Sequence, residues 1–293
     1  MNRITRIAPI FVILVVGLSA CDDFATILSR DDMTQTRSDD VLVGIVLPLS
    51  GRFIEGPDDP RLVSMLNGYN LARDEINDLQ LSPSRFRFIL ENDRSTEEGA
   101  IEAYNKLIHE DEVNAIIGPR SSRQVRAAFP VAQENKIVAI GPTSSAQGLS
   151  AIGDYVFRIG LAVDKTIPLG VKLTHETLGY RRVAMLVDRI DLYSQSSNAT
   201  FVESLDALGV QIVTTETFET NDSNFTGQLT RINALNPDAI IVSSQPIDKK
   251  KIFLQSRGVG ITPDVPFIMP FVDTSDLQGI GNARTVQSPL PTG

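Results

Sequence analysis

The chain has 293 residues, of which 42% are hydrophobic and 22% charged, and this composition is typical of a globular protein rather than of a disordered or multi-span membrane chain. Its 27 basic and 36 acidic side chains give a formal net charge of −9, which argues against a nucleic-acid partner because phosphate binding needs a basic face. One cysteine and two distant histidines, His109 and His175, give little support for a metal site, a disulfide framework or a Cys/His catalytic pair. No cofactor is predicted.

The first 20 residues have the pattern of a secretory signal peptide. Arg3 and Arg6 precede an uncharged, mostly apolar run at 8–20. This run is shorter than the roughly 20 residues that a membrane-spanning helix needs. The residues LSAC at 18–21 resemble the lipobox of bacterial lipoproteins, which implies cleavage before Cys21 and a lipid anchor on that residue. The resemblance predicts an extracytoplasmic, membrane-anchored lipoprotein, and in a Gram-negative cell Asp22 would favour retention at the inner membrane.

Residues 21–40 are polar and without a sustained period, so we predict a flexible tether there. From Val41 onward, short apolar runs alternate with helical segments. The predicted strands lie at 41–47, 86–91, 115–117, 137–140, 182–187, 211–215, 239–242 and 267–269. Nearly all of them are apolar throughout, which favours a parallel sheet covered by helices on both faces.

Helix signals separate these strands. Apolar residues at 62, 65, 66, 69, 71 and 76 recur at close to 3.6-residue spacing, and Thr96 precedes an acidic first turn. Gly179 and Gly209 follow predicted helices at 167–178 and 201–208 as C-terminal glycines. The repeated order predicts an α/β fold of two doubly wound parallel-sheet lobes, at 41–153 and 154–275, with a return segment or tail at 276–293.

The loops after the strands are the places to look for a ligand, because doubly wound sheets bind ligands outside the carboxyl ends of their strands. Gly, Pro, Ser and Thr cluster in the loops at 48–51, 118–122 and 141–145, and a fourth candidate loop spans 188–195. Free N–H groups and hydroxyls before a helix form a cradle for a carboxylate. Helix capping alone explains each hydroxyl taken singly, but three such loops on successive strands favour a site.

Five phrases of the chain together resemble the type I periplasmic binding proteins. They are GIVLPLSG at 44–51, NGYNLARDEIN at 67–77, ENDRS at 91–95, AIIGPRSS at 115–122 and VAIGPTSSAQGL at 138–149. More narrowly, they resemble the branched-chain amino-acid (Leu/Ile/Val) receptors of ABC importers. The resemblance covers residues 41 to about 277 and implies a ligand cleft between the two lobes.

The same resemblance implies roles for individual residues. Ser122, with Ser121 beside it, falls where the family binds the ligand carboxylate, and Thr143 and Ser145 fall where it holds the same amino-acid head. The loop at 191–194 is similar to the family's Asp-x-Tyr-Gly loop, which places Tyr193 against the ligand from the second lobe. The alternative for Tyr193 is packing in the cleft wall.

The chain also departs from the family pattern. Many relatives carry an acidic residue after the last strand of the second lobe to pair with the ligand ammonium, but residues 269–273 read MPFVD, so Asp273 serves only if the loop is shifted. Gln245 stands near a position where an aromatic residue often stacks, and Gln hydrogen-bonds instead. The family then returns to the first lobe, so this chain is either C-terminally truncated or a degenerate member. We expect apolar faces of the first lobe to be left uncovered.

The resemblance predicts a lipid-anchored solute-binding protein of an ABC importer, which closes on an amino acid or a similar small carboxylate or amide and delivers it to a permease. We predict no enzymatic activity, because neither histidine is placed to serve a serine nucleophile and GxSxG, HExxH and GxxxxGK[ST] are absent from the sequence. The alternative is a lipoprotein regulator or sensor that uses the same fold to bind a protein partner.

Overall fold

The computed structural model describes residues 39–52, 54, 56, 58–270 and 283–285. The predicted signal peptide, Cys21, most of the tether and Asp273 lie outside the described residues.

The first of two parallel sheets contains the strands of the N-terminal lobe. They are β1 (Val41–Leu47), β2 (Phe86–Asn92), β3 (Ala115–Ile117), β4 (Val138–Gly141) and β5 (Val156–Arg158). Their order across the sheet is β2-β1-β3-β4-β5, and every pair is parallel. The strand order reverses between β1 and β3, so the topological switch point lies there.

The second sheet repeats this arrangement. It contains β6 (Arg182–Asp188), β7 (Gln211–Phe218), β8 (Ala239–Ser243), β9 (Phe267–Met269) and β10 (Ala283–Thr285). Their order is β7-β6-β8-β9-β10, again with parallel pairs throughout. The two doubly wound parallel sheets confirm the predicted fold class.

Helices connect successive strands and cover both faces of each sheet. The first lobe has α1 (Pro60–Asp78), α2 (Glu97–His109) and α3 (Ser122–Asn135), and the second has α4 (Val163–Leu178), α5 (Leu192–Ala207), α6 (Thr226–Ala234) and α7 (Pro246–Gly258). The structure confirms the predicted helix start at Thr96 and the predicted helix end at Gly179. Thr96 Oγ1 accepts a hydrogen bond from Gly99 N at 2.9 Å, and Gly179 ends α4 in the left-handed conformation with φ 68°.

The hydrophobic cores lie on the two faces of each sheet. In the first lobe, Val46 packs with α2 and α3, while Val43, Ile45 and Leu47 pack with α1 on the opposite face. In the second lobe, α4 and α5 cover one face of the sheet and α6 and α7 cover the other. Side chains alternate along a strand, so burial on both faces explains why these strands are apolar throughout.

The structure differs from the predicted elements in two places that concern the site. The first sheet includes β5, so it continues past the boundary predicted at 153. This strand has a single buried apolar side chain, Val156, and ends in Arg158, so it forms no apolar run in the sequence. Helix α5 begins at Leu192 rather than near 201, because Asp191 caps it by accepting a hydrogen bond from Ser194 N at 2.8 Å. The segment 191–194 is therefore a helix start and not an extended loop.

Among the helices of the described ranges, none combines the length and hydropathy that a bilayer crossing requires.

Candidate functional site

The candidate site lies at the carboxyl edge of the first sheet, where the loops after β1, β3 and β4 meet. Gly118 turns the chain directly after β3 with φ 109°, and a Cβ atom there would lie 2.1 Å from Val46 O. Only glycine permits this close approach to β1. The hydroxyl of buried Tyr104 on α2 donates a hydrogen bond to Gly118 O at 2.5 Å. The loop that carries Ser121 and Ser122 is thus held from both sides.

Ser122 joins the loops after β3 and β4. It is the first residue of α3 and only 2% exposed, and its Oγ accepts hydrogen bonds from Ser145 N at 3.2 Å and Ala146 N at 3.1 Å. A serine hydroxyl has two acceptor positions and one donor. Both acceptor positions are used within the lobe, and the hydroxyl proton has no acceptor among the described residues.

Thr143 and Ser145 use their hydroxyls inside the same pair of loops. Thr143 Oγ1 donates to Arg120 O at 2.9 Å, and Ser145 Oγ donates to Thr143 O at 3.2 Å. These bonds fix the shape of the loop after β4 around Ser122. The structure therefore brings the four predicted first-lobe residues together, and the hydroxyls of three of them, Ser122, Thr143 and Ser145, are bonded to loop backbone.

Several buried hydroxyls at the strand ends have no hydrogen-bond partner within the described ranges. Ser121, the residue before α3, is 9% exposed, and Ser243 and Ser244 at the end of β8 are fully buried. A buried hydroxyl that stays unsatisfied costs about 1–3 kcal/mol, so such atoms call for a ligand or water partner. Sequence reasoning missed Ser243 and Ser244. Their position directly after β8, which matches that of the serines after β3 and β4, was the available signal.

Gln245 and Asp191 tie two helix starts of the second lobe together. Asp191 Oδ2 accepts from Ser194 N and from Ser194 Oγ at 2.7 Å, while Asp191 Oδ1 accepts from Gln245 Nε2 at 3.0 Å. Gln245 lies at the N-cap position of α7. Its amide nitrogen thus positions Asp191, the capping residue of α5, and Tyr193 lies in the first turn of that helix.

Tyr193 lies in the first turn of α5. Its ring packs against the hydrophobic core of the second lobe, and its hydroxyl donates to Pro270 O at 3.4 Å. Burial raises the pKa of Tyr193, so the phenol is a neutral hydrogen-bond donor. This position agrees with the packing alternative, and contact with a ligand stays a prediction.

The two lobes touch near these residues. Gln147 lies in the loop after β4 and donates two hydrogen bonds to α5. Its backbone N–H donates to Ser196 Oγ and its Nε2 donates to Thr200 Oγ1, both at 2.9 Å. Leu192 at the start of α5 packs against the core of the first lobe. On the far side, Asn221 Nδ2 donates to Arg52 O at 2.8 Å. The loops after β1 and β4 of the first lobe therefore contact α5 and the loop after β7 of the second lobe.

In the described part of the chain, no group of three or more His, Cys, Asp or Glu side chains is placed to hold a metal ion.

Comparison with known proteins identifies related chains. Residues 40–291 match the model of a family described as periplasmic binding protein. The Leu/Ile/Val-binding protein BraC3 of Rhizobium johnstonii is 25% identical over 203 residues, which cover 69% of this chain and 53% of that protein. The chain thus spans about half the length of this curated relative.

Solved structures share the fold. The branched-chain amino acid transporter substrate binding protein LivJ from Streptococcus pneumoniae, solved with isoleucine, has a TM-score of 0.73 and 24% identity over 84% of this chain and 70% of its own. An ABC transporter solute binding protein from Rhodopseudomonas palustris, solved with 4-hydroxybenzoate, has a TM-score of 0.72 and 16% identity over 83% of this chain and 66% of its own. At these identities the likeness establishes the fold alone.

Proposed function

The chain belongs to the periplasmic binding protein family, and from this membership we propose that it is an extracytoplasmic solute-binding protein of an ABC importer. Its ligand in this proposal is an amino acid or a similar small carboxylate, bound between the two lobes. A lipid on Cys21 would hold the protein at the membrane beside the permease that receives the ligand.

The observation that carries the proposal is a set of buried hydroxyls, after strands of both lobes, that have no hydrogen-bond partner among the described residues. Ser121 lies on the first lobe, and Ser243 and Ser244 lie on the second. A carboxylate accepts hydrogen bonds from such donors, and the N-terminus of α3 adds partial positive charge. The relatives solved with isoleucine and with 4-hydroxybenzoate were bound to small molecules that share a carboxylate.

In the proposed receptor, a ligand that contacts both lobes favours the closed arrangement of the protein. The ligand docks on the first lobe, and contacts with the second lobe then favour the closed arrangement. A ligand shifts an open–closed equilibrium only through its higher affinity for one state, so donors on both lobes are needed. This role is binding without catalysis.

The test is thermal unfolding of the purified protein with a panel of amino acids and aromatic carboxylates at millimolar concentration. A ligand at a thousandfold excess over Kd stabilises the native state by about 4 kcal/mol, which raises Tm by roughly 10 °C. We expect one class of carboxylate to do this, and we expect Ser121→Ala and Ser122→Ala to reduce the shift. Ser64→Ala, at an exposed serine on α1, is the matched control.

A cooperative transition whose Tm no compound of this panel changes would overturn the receptor proposal. It would favour the regulator or sensor, whose ligand is a protein.

A further inference from the structure

The side chain of Arg120, in the candidate site, has no hydrogen-bond or ion-pair partner among the described residues. Arg120 stands between Gly118-Pro119 and Ser121 in the loop after β3, and its side chain is half-buried. Only its backbone oxygen is engaged, by Thr143 Oγ1, and its guanidinium has no hydrogen bond or ion pair in the described part of the molecule. A guanidinium carries five donors in a planar fork and stays charged, so it is usually found paired with a carboxylate or phosphate.

The charged groups around Arg120 locate its guanidinium at the carboxyl edge of the sheet. They are Asp93, which directly follows β2, and Asp59 with Arg61 at the start of α1. Asp59 is already bound by Arg61, through Nε at 3.0 Å and Nη2 at 2.6 Å. This ion pair is neutral as a unit and supplies no counterion for Arg120.

Asp93 is the remaining acidic neighbour, and it attracts Arg120 without forming an ion pair with it. Asp93 is buried and accepts a hydrogen bond from Ser95 N at 2.7 Å. Burial raises its pKa to about 6 against the opposing effects of Ser95 and Arg120, so at neutral pH the carboxylate is ionised. Its carboxylate offsets part of the charge of Arg120 from a distance and leaves the donors of the guanidinium available.

Two anion-binding elements thus stand on adjacent residues. The first is the unpartnered Ser121 hydroxyl at the N-terminus of α3, and the second is the guanidinium of Arg120. The charged neighbours of the guanidinium are Asp93 after β2 and the pair at the start of α1, whereas the Ser121 hydroxyl lies at the start of α3. An apolar ligand side chain beside this guanidinium would desolvate it without pairing it, which is unfavourable.

We propose that the ligand is a small dicarboxylate, acidic amino acids included, with one carboxylate at Ser121 and Ser122 and the other paired with Arg120. This inference rests on the proposed receptor function and narrows its substrate class from carboxylates in general. Arg120 is a specificity-determining residue in this assignment, and the serines supply the contact common to all carboxylates.

The experiment measures the affinities of the full chain for glutamate, aspartate, succinate, leucine and isoleucine by titration calorimetry, for the wild type, Arg120→Leu and Arg120→Lys. We expect the wild type to bind at least one of the dicarboxylates about 100-fold more tightly than leucine. Arg120→Leu should lose most of that preference, and Arg120→Lys should retain part of it. Arg126→Leu, which removes an exposed arginine of α3, should leave the ranking unchanged.

The outcomes separate this inference from the receptor proposal. If the wild type binds leucine more tightly than every dicarboxylate and loses it with Ser121→Ala, the receptor stands and the dicarboxylate assignment is overturned. If the folded protein binds no small carboxylate, both are overturned. If Arg120→Leu does not fold, as judged by circular dichroism, the wild-type ranking together with Arg120→Lys decides.

Discussion

Asp248 is a fully buried carboxylate at the start of α7. It accepts a hydrogen bond from Asn221 N at 3.2 Å and lies 3.6 Å from Lys251 Nζ. Burial raises its pKa from 3.8 to about 6, against the opposing effects of Lys251 and Asn221. A carboxyl group whose pKa is higher in the folded state binds its proton more tightly there. Its stabilising contribution is present below pH 3.8 and is lost as the pH rises through about 6.

We therefore expect Asp248→Asn to flatten the decline of Tm between about pH 4 and pH 7, because the amide cannot ionise and still offers an oxygen to Asn221 N. At pH 7.5 the variant should melt a few degrees above the wild type. Thermal unfolding across this pH range measures both effects, with exposed Asp206→Asn as the control. An equal loss of Tm at every pH would show that the buried charge is not the cause.

The sequence predicts the position of the candidate site better than the hydrogen bonds within it. The serine clusters after β3 and β4 were recognisable because polar residues interrupt apolar strands at the edge where ligands bind. The hydrogen-bond partners of each hydroxyl were not predictable, because Ser122 Oγ accepts from amides that lie 23 and 24 positions further along the chain. The bond between Gln245 and Asp191 likewise depends on how β6 and β8 pair. Neighbours in sequence do not contain this information.

At the scale of the element, β5 and the residues after it present exposed apolar side chains. It is the edge strand of the first sheet in the described residues, with Phe157 49% exposed, and Ile159 and Leu161 follow it at 74% and 55% exposed. We expected apolar surface of the first lobe to be uncovered, and these residues provide it. An apolar strand edge is a template for association with another chain.

We predict that Ile159→Lys reduces self-association of the protein at high concentration, because a charge beside the strand edge opposes pairing with a second chain. The Tm should change little, since Ile159 is mostly exposed. Sedimentation velocity over a concentration series measures the association. Leu254→Lys on α7, at a similarly exposed leucine, is the control, and an equal effect of both variants would contradict a role for β5.

Apolar content explains how far the strands were predictable. The limits of β1, β3 and β9 match the predicted strands, because each is an uninterrupted apolar run bounded by polar or turn residues. The three residues of β5 contain only one buried apolar side chain, so tertiary pairing with β4 and not local pattern defines this strand. Helix α5 starts early because Asp191 caps it by accepting a hydrogen bond from Ser194 N.

At the scale of the molecule, the two lobes contain sheets of the same strand order and contact each other through loops and α5. The alternating order of strands and helices was sufficient to predict two lobes. Their contact was not predictable, since it joins Gln147 to Ser196 and Thr200 across 49 and 53 positions of sequence. The interface combines these polar bonds with Leu192 of α5, which packs against the core of the first lobe. An interface that relies on polar bonds is suited to opening and closing.

The bond from Gln147 Nε2 to Thr200 Oγ1 gives a test of this interface. A typical hydrogen bond within a protein contributes about 0.5–1.5 kcal/mol, so Gln147→Ala should raise the open population and weaken ligand binding by a factor of about 2 to 10. The radius of gyration from small-angle scattering of the ligand-free protein should increase, with little change in Tm. Gln228→Ala removes a comparable amide bond, to Thr217 O within the second lobe, and should change neither scattering nor affinity. If Gln147→Ala also leaves both unchanged, the two lobes are held together by other contacts and the bond from Gln147 does not govern closure.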